Sequence, residues 1–202
     1  MYDNDVGRWQ PDARGRLEQA AYELFRDQGY DRTTVAEISA RAGLTERTFF
    51  RHYADKREVL FGGAAFLEAE LVRALDSLPK GGSAMDAMRI AVETIAGHMR
   101  GRRDLARERR AIIAAHPELQ ERDHAKRAAL TRALAEAMRR RGMPEPEASL
   151  NADVAVAVFY VAFSRWLDEA QQRDLVEIVR EGFDHIAALG SGSRPRRKTP
   201  SP

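Results

Sequence analysis

The chain has 202 residues, a formal net charge of +2 and no cysteine. This length is enough for one large domain, or for a small domain joined to a larger one. The lack of cysteine excludes disulfides, thiolate zinc sites and a cysteine nucleophile, which suits a reducing cytoplasm. The first ten residues contain acids and no apolar run, and the longest apolar run, residues 154–163, is shorter than a bilayer requires. We therefore expect a soluble cytoplasmic protein without a signal peptide or a membrane-spanning helix.

Residues 1–10 are polar, and we predict a flexible N-terminus there. A first helix follows from about Asp12 to Gln28, because apolar residues recur at the spacing that places them on one helical face. They are Leu17, Ala20, Ala21, Leu24 and Phe25. Gly29 and Tyr30 end this helix, which we expect to pack on the two helices that follow.

Residues 33–56 predict two short helices joined by a tight turn. Thr34 and Glu37 have the spacing of a capping box, in which each side chain bonds a free N–H group at the helix start. Gly43 supplies the backbone freedom that a sharp turn needs, and Thr45 can cap the second helix. The pattern indicates a helix-turn-helix of the size that fits a DNA major groove.

The segment from Gly15 to Phe61 resembles the DNA-binding domain of the TetR family of bacterial transcriptional regulators. The resemblance rests on three stretches that occur in order, AAYELFRDQGY, TTVAEISARAGL and TERTFFRHYADK. It implies an all-α fold, in which a three-helix helix-turn-helix domain (residues 11–56) precedes a larger helical domain for ligand binding and dimerisation (residues 57–190). The implied function is that of a homodimeric repressor, which leaves a palindromic operator in double-stranded DNA when a small apolar ligand binds.

The resemblance and the chemistry of each side chain together give a set of predicted DNA contacts. Arg47 and Thr48 project from the first turn of the second helix, where an Arg can bond guanine and a Thr methyl can pack on thymine. The family commonly has Tyr at the position that Phe50 occupies here. The Phe50 ring can offer only apolar contact with a sugar or a thymine methyl. The remaining members suit phosphates or the backbone near them. The full set is Thr33, Thr34, Thr45, Arg47, Thr48, Phe50, His52, Tyr53 and Lys56.

Net charge does not by itself support a DNA-binding domain. Residues 1–56 contain nine Lys or Arg and ten Asp or Glu, a net charge of −1. Phosphate contact depends on where charges lie rather than on their sum. Arg47, Arg51 and Lys56 lie in or just after the second helix of the motif, so the local charge there still favours DNA.

A fourth helix is predicted from Asp55 to about Leu78, as the rigid connection between the DNA-reading domain and the rest of the chain. It breaks at residues 79–82, which contain one Pro and two Gly. Further helices are predicted over residues 83–100, 104–115, 117–141, 151–166 and 173–189, about nine in all. Residues 191–202 contain four basic residues and no acidic ones, and we predict a disordered tail.

The helix over residues 151–166 is apolar on nearly every side. A helix at a protein surface exposes a polar face, so a helix without one must be covered on both sides. We predict that its second side and the last helix pack on a second copy of the chain, in a two-fold symmetric four-helix interface. The alternative is a helix buried inside a monomer. The predicted interface residues are Val154, Val158, Val161, Ile178 and Phe183.

The family resemblance also implies a ligand pocket in the larger domain, and such pockets are mostly apolar. The predicted pocket residues are Met85, Met88, Met99, Arg107, Phe159, Phe163 and Trp166, which at helical spacing can equally be core. Residues 107–134 resemble the C-terminal domain of the mycofactocin-associated TetR-type regulators, a group linked to fatty acyl-coenzyme A. Coenzyme A phosphates could then meet a set of arginines, Arg100, Arg102, Arg103, Arg107, Arg109 and Arg110. The alternative is a solvated face offset by Asp104 and Glu108.

An enzyme is not indicated. The five histidines show no metal-binding spacing, and the sequence has neither a nucleophile elbow nor a dinucleotide-binding glycine pattern. We predict no catalytic residue, no metal and no cofactor. Two alternatives to a repressor stay open: a transcriptional activator on the same fold, and a helical binding protein without affinity for DNA.

Overall fold

A computed structural model of the chain describes residues 12–79, 82–170 and 173–190. Within these residues the secondary structure is helical, without a strand, so the predicted all-α class is confirmed. The predicted flexible N-terminus (residues 1–10) and the predicted disordered tail (residues 191–202) lie outside the described residues.

Ten helices follow one another along the described chain. They are α1 (Ala13–Gln28), α2 (Val35–Arg41), α3 (Glu46–His52), α4 (Lys56–Leu60), α5 (Gly62–Ser77), α6 (Ala84–His98), α7 (Arg103–Ala115), α8 (Pro117–Arg140), α9 (Glu147–Asp168) and α10 (Leu175–Gly190). This is one more than the predicted nine, because the predicted helix from Asp55 to Leu78 is two helices. The chain leaves the helical region at Phe61, where φ is −108° and ψ is 5°.

The chain divides into two compact units between Ala65 and Phe66. The first unit has a small core, to which each of α1 to α4 contributes a fully buried side chain. These are Leu17, Ile38, Phe49 and Val59. Burying an apolar side chain of this size is worth about 1.5–3 kcal/mol. Because α4 belongs to this core, the boundary lies later in the chain than residue 56, where the sequence pattern placed it.

The second unit is built around α9, against which α6, α8 and α10 pack. The length and apolar composition of α9 would also suit a membrane-spanning helix, but core helices share both properties. Small side chains allow close packing around it. At Gly182 on α10, a Cβ atom would lie only 2.8 Å from Val158 Cγ1, so the absence of a side chain there lets α10 approach α9 closely.

Two arginines close the carboxyl ends of neighbouring helices in the second unit. Arg141, just after α8, donates to the carbonyl oxygens of Leu75 at 2.6 Å, Leu78 at 2.9 Å and Pro79 at 2.8 Å, at the end of α5. Arg107 on α7 donates from Nε to a carbonyl oxygen near the end of α9, at 2.7 Å. The last carbonyls of a helix lack partners within it and carry partial negative charge, so a guanidinium there supplies both a donor and a countercharge.

We expect Arg141→Leu to lower the free energy of unfolding by about 1–3 kcal/mol, because three carbonyls lose a charged donor. Arg140→Leu is the matched control, since Arg140 is exposed and lies 3.5 Å from the carboxylate of Asp76. Exposed ion pairs contribute little, so this control should change stability by less than about 1 kcal/mol. Urea unfolding followed by circular dichroism measures both variants, and equal losses would contradict the role given to Arg141.

Candidate nucleic-acid interface

The first helix of the motif, α2, begins with the predicted capping box. The hydroxyl oxygen of Thr34 accepts from the N–H of Glu37 at 3.2 Å, and the Glu37 carboxylate accepts from the N–H of Thr34 at 2.8 Å. The bond from the Thr34 backbone is the largest of the effects that hold the pKa of the Glu37 carboxyl below its ordinary value of 4.5. Both partners of the box are therefore in place, and they fix where α2 starts.

The turn between α2 and α3 requires glycine at position 43. Gly43 has a φ of +64°, in the left-handed region that residues with a Cβ atom rarely adopt. A Cβ atom there would also lie 2.9 Å from Nη2 of Arg16, whose guanidinium donates to the carbonyl of Ala42 at the end of α2. The N–H of Leu44 donates back to the carbonyl of Ser39 at 2.9 Å. These contacts fix the direction in which α3 leaves the turn.

A cap and buried aromatic rings hold α3, which has only seven residues. The hydroxyl of Thr45 accepts from the N–H of Thr48 at 3.2 Å. Phe49 is fully buried, and its ring centroid lies 5.6 Å from that of Tyr53, which is also buried. Burial raises the pKa of the Tyr53 hydroxyl. Because Phe49 and Tyr53 face the core, the opposite side of α3 faces solvent.

The outer side of α3 carries two arginines and an aromatic ring. Arg47, Phe50 and Arg51 are exposed, and Phe50 keeps 54% of its surface accessible. Neither guanidinium makes a hydrogen bond or ion pair with any residue that the structure describes. In contrast, Arg16 binds a carbonyl and Arg41 pairs with Glu23 within the same unit. Free guanidinium groups suit both phosphate and guanine, so this side of α3 is the candidate DNA-reading surface.

Arg51 is not among the predicted contacts, although it is exposed on the same helix as Arg47. It comes four residues after Arg47, and this spacing places the two side chains one above the other on a helix. The spacing alone therefore indicates that Arg51 lies on the same side of α3 as Arg47. Of the residues that were predicted, Thr34, Thr45 and His52 are exposed, and Thr48 is half-buried.

Three of the predicted DNA contacts are instead engaged inside the first unit. Thr33 is only 2% exposed, and its hydroxyl donates to the carbonyl of Gly29 at 2.9 Å. Tyr53 is buried beside Phe49, as described above. Nζ of Lys56 donates to the carbonyl oxygen of Tyr30 at 2.7 Å and lies 4.2 Å from the centroid of the Tyr30 ring. Burial lowers the pKa of the Lys56 amine. These three residues hold α2 and α3 in position. Burial corrects the direct DNA contacts predicted for Thr33 and Tyr53, whereas a contact of the half-buried Lys56 stays a prediction.

The second unit has a small apolar cavity of about 10 Å³. It is lined from α5, α6, α8 and α9 by Leu71, Val92, Ile95, Leu130, Leu134, Ala155, Val156 and Phe159. Among the predicted pocket residues, Phe159 is the member that lines this cavity. Its ring is stacked on that of Phe163 at 5.8 Å, and Phe163 lies 5.7 Å from the ring of Trp166. The three predicted methionines are core residues: Met88 is fully buried, and Met85 and Met99 pack against the core.

Most of the arginines predicted to meet phosphates are engaged within the second unit. Arg103 and Arg107 donate to the carbonyls of Glu169 and Leu167, at the end of α9. The other pairs are Arg110 with Asp168, Arg109 with Asp123 and Arg100 with Asp174. The alternative, a solvated face offset by Asp104 and Glu108, holds in part, since Arg107 also lies 4.0 Å from the Asp104 carboxylate. The other partners come from α8, α9 and the segment before α10. These other partners are far from the arginines in sequence, and a sequence pattern does not reveal such pairs.

Three of the five predicted interface residues lie in the chain's own core. They are Val158, Ile178 and Phe183. On α9 itself, the apolar residues that stay open lie on another side of the helix, where Val161 is 71% exposed and Leu150 is 64% exposed. With the half-buried Val154 and the exposed Ala157, they are spaced by three or four residues and form one apolar row. We call these four residues the α9 stripe.

A fixed turn between two capped helices, with arginines on the outer side of the second that have no partner in the part of the chain the structure describes, is the arrangement of helix-turn-helix DNA-binding proteins. Residues 18–61 match the family model of bacterial regulatory proteins, tetR family. Residues 82–189, more than half of the chain, match the model of the MftR C-terminal domain. The chain therefore belongs to the TetR family of transcriptional regulators and has an MftR-type C-terminal domain, which confirms the predicted DNA-binding regulator.

Two relatives illustrate how the similarity is distributed. The chain is 27% identical over 194 residues to the Mycobacterium tuberculosis protein named as the mycofactocin biosynthesis transcriptional regulator MftR, and the match covers 93% of this chain and 96% of that protein. It is 37% identical over 87 residues to the HTH-type transcriptional regulator TcmR of Streptomyces glaucescens. That match covers 43% of this chain and 38% of TcmR, so it spans less than half of either protein.

Solved structures share the fold. SmeT, the repressor of the Stenotrophomonas maltophilia efflux pump SmeDEF, in complex with triclosan, has a TM-score of 0.62 and 21% identity, and covers 94% of this chain and 98% of its own. The regulator FadR from Bacillus subtilis, in complex with stearoyl-CoA, has a TM-score of 0.61 and 16% identity. That match covers 89% of this chain and 99% of FadR.

We expect the capping box to make the stability of α2 depend on acid. A carboxyl whose pKa is lower in the folded protein stabilises the fold above its ordinary pKa, and this stabilisation is lost as the pH falls through the folded pKa. The contribution of Glu37 is thus complete above its ordinary pKa of 4.5. The urea midpoints of the wild type and Glu37→Gln should differ at about pH 7 and converge at about pH 3.

The matched control for this prediction is Glu46→Gln, an exposed acid that belongs to no capping box. Its midpoint should follow that of the wild type across the same range. A difference between the wild type and Glu37→Gln that is equally large at both pH values would show that the carboxylate is not responsible.

Proposed function

We propose that the protein is a homodimeric repressor that a small apolar ligand releases from a near-palindromic operator. In a dimer, two copies of α3 held about 34–36 Å apart would enter successive major grooves on one side of the duplex. The protein would act in the cytoplasm and would have no catalytic activity.

The DNA-reading part rests on one observation: on the outer side of α3, the guanidinium groups of Arg47 and Arg51 have no partner among the described residues. The first 56 residues have no net positive charge, so attraction to DNA has to come from placement. Arg47, in the first turn of α3, can bond guanine O6 and N7 through two N–H groups. Arg51, one turn later, suits a phosphate, and Thr48 lies between them in sequence, with a methyl group that can meet thymine.

The dimer is supported by the α9 stripe. A row of exposed Leu and Val side chains along a helix costs free energy in water, and burying a group of the size of Val or Leu is worth about 1.5–3 kcal/mol. A second copy of the chain offers the same row, so two-fold packing would cover both rows at once. This keeps Val154 and Val161 of the predicted interface and adds Leu150 and Ala157. It leaves out Val158, Ile178 and Phe183, which the chain already buries.

The ligand is proposed to be apolar because the cavity in the second unit has only apolar side chains around it. At about 10 Å³ the cavity is far smaller than the roughly 300–1,000 Å³ of a drug-sized site, so a ligand would have to separate the helices that line it. A fatty acyl chain fits this requirement, since it is narrow and apolar. The stearoyl-CoA complex of the fold relative FadR supports an acyl-coenzyme A as the first candidate.

Release from DNA would follow from the position of α5. This helix contributes Leu71 to the cavity lining and runs back without interruption to Gly62, inside the first unit. A ligand that separates α5 from α6, α8 and α9 would therefore shift a helix that both units share. Typical couplings of about 1–3 kcal/mol change operator affinity by roughly 5- to 150-fold. An activator would use the same parts, and a reporter gene assay separates it from a repressor.

We expect Arg47→Ala and Thr48→Ala to relax the sequence preference, and Arg51→Ala to weaken binding to every duplex. Losing one bidentate base contact should cost about 1–3 kcal/mol at one base pair, whereas losing one phosphate contact should lower the slope of log affinity against log salt by about 1. Gel shifts against a randomised duplex pool, with and without stearoyl-CoA, measure both effects and the ligand response. Arg73→Ala, on α5, is the control and should change neither quantity.

A wild-type protein that binds no duplex would refute the DNA-reading proposal. A helical binding protein without affinity for DNA would then be the better description of the chain. Equal changes of preference and salt slope in Arg47→Ala and Arg51→Ala would refute the division of roles between base and phosphate.

We expect Val161→Glu to dissociate the dimer, because a charge buried against its own copy is strongly unfavourable. Sedimentation velocity should give about twice the 22.7 kDa chain mass for the wild type and the single chain mass for the variant. Ile90→Glu is the matched control, since Ile90 is an exposed apolar residue on a different helix, α6. Dissociation by both substitutions, or by neither, would contradict the interface.

A further inference from the structure

We infer that Phe50 reads the 5-methyl group of thymine, so that each half-site of the operator holds a thymine whose methyl group contributes to affinity. The inference rests on the proposed DNA-reading role of α3 and adds to it one chemical group on the DNA. It starts from a side chain that the fold leaves in an unfavourable environment.

Phe50 is the one large apolar side chain exposed among residues 12–65, all of which the structure describes. Its ring is not loose. It meets the fully buried ring of Phe49 edge-on, with centroids 5.5 Å apart and planes at 80°. Edge-to-face contact is a favourable geometry for aromatic pairs, so the Phe50 ring is presented in a defined orientation with about half of its surface open.

The surroundings of Phe50 favour DNA over a protein partner. Arg47 lies three residues before it and Arg51 follows it, and both guanidinium groups are exposed and unpaired among the described residues. A second copy of the same surface would place these positive groups against one another, which is unfavourable. A polyanion is attracted by the same charges. The surface therefore combines an apolar ring with two cations, and DNA is the partner that suits both.

Within the major groove, the thymine methyl is the apolar group that projects from a base edge, whereas the other groups there are hydrogen-bond donors and acceptors. A phenylalanine ring has no donor for a phosphate, and burying phosphate oxygens against it would cost hydration. Contact with a methyl group removes apolar surface from water on both partners. The methyl group is thus the element of the groove that fits Phe50.

This assignment makes an unusual demand on the DNA, because the group that is read is the methyl and not the base. Uracil differs from thymine by that methyl alone, and 5-methylcytosine differs from cytosine in the same way. Removing a methyl contact should weaken binding by about fourfold in each half-site, from the transfer free energy of one methylene-sized group. A symmetric operator changed in both halves should therefore lose roughly 15-fold.

The test uses the full-length protein and a duplex selected by it from a randomised pool. Each thymine of the half-site is replaced in turn by deoxyuridine, and affinities are measured by fluorescence anisotropy. At one thymine, the wild type should lose about fourfold per half-site, and Phe50→Ala should bind the thymine and uracil duplexes equally. Phe50→Tyr, which keeps the ring, should retain the preference. At the same position, 5-methylcytosine should bind the wild type more tightly than cytosine.

Thr48→Ala is the matched control, since Thr48 also has a methyl group that could meet thymine. If the uracil effect disappears in Thr48→Ala and persists in Phe50→Ala, or if the wild type is indifferent to every uracil, the inference is overturned. A wild type that selects no duplex at all would instead refute the proposed DNA-reading function. Because Phe50 is exposed, Phe50→Ala should melt within a few degrees of the wild type, and circular dichroism establishes that it folds.

Discussion

Burial of the Phe49 ring holds α3 in the first unit, and the candidate DNA-reading surface depends on this burial. A helix of seven residues has little stability of its own, because isolated helices below about 12–15 residues are marginal in water. The Thr45 cap and the turn at Gly43 fix where α3 begins, but neither fixes which side of it faces outward. The fully buried Phe49 does so, and it thereby turns Arg47, Phe50 and Arg51 towards solvent.

Local rules made the helix-turn-helix readable from the sequence. A capping box, a glycine at a turn and a spacing of four are set by residues close in sequence, and the structure has Thr34 bonded to Glu37 and Gly43 at positive φ. The division of one predicted helix into α4 and α5 at Phe61 is harder to foresee. The break comes where α4 turns its apolar residues into the first core, which is a tertiary effect.

The predictions for the second unit were weaker for a physical reason. Helical spacing shows that α9 has apolar residues all round, but it does not show which of them the chain covers itself. Val158 is buried against α10, whereas Val161, three residues later, is open. The arginines of α7 pose the same difficulty. Arg107 and Leu167 are 60 residues apart in sequence, so a charge run that could bind phosphates proved to close the end of a helix. By comparison, the arginines of α3 stand out because residues 12–79, 82–170 and 173–190 offer them no such partner.

The helix α5 lies between the two segments that the family models recognise, residues 18–61 and 82–189. Its first turn belongs to one compact unit and its remainder to the other, with the division after Ala65. A helix is a tolerant place to join two inherited parts, since its backbone geometry is the same whatever side chains it carries. Exchange of coding sequence in the first turn of α5, ahead of its buried residues Leu71 and Leu75, would join the first unit to a different second unit without disturbing either core. The junction is thus a place at which the two parts of the chain can be exchanged independently.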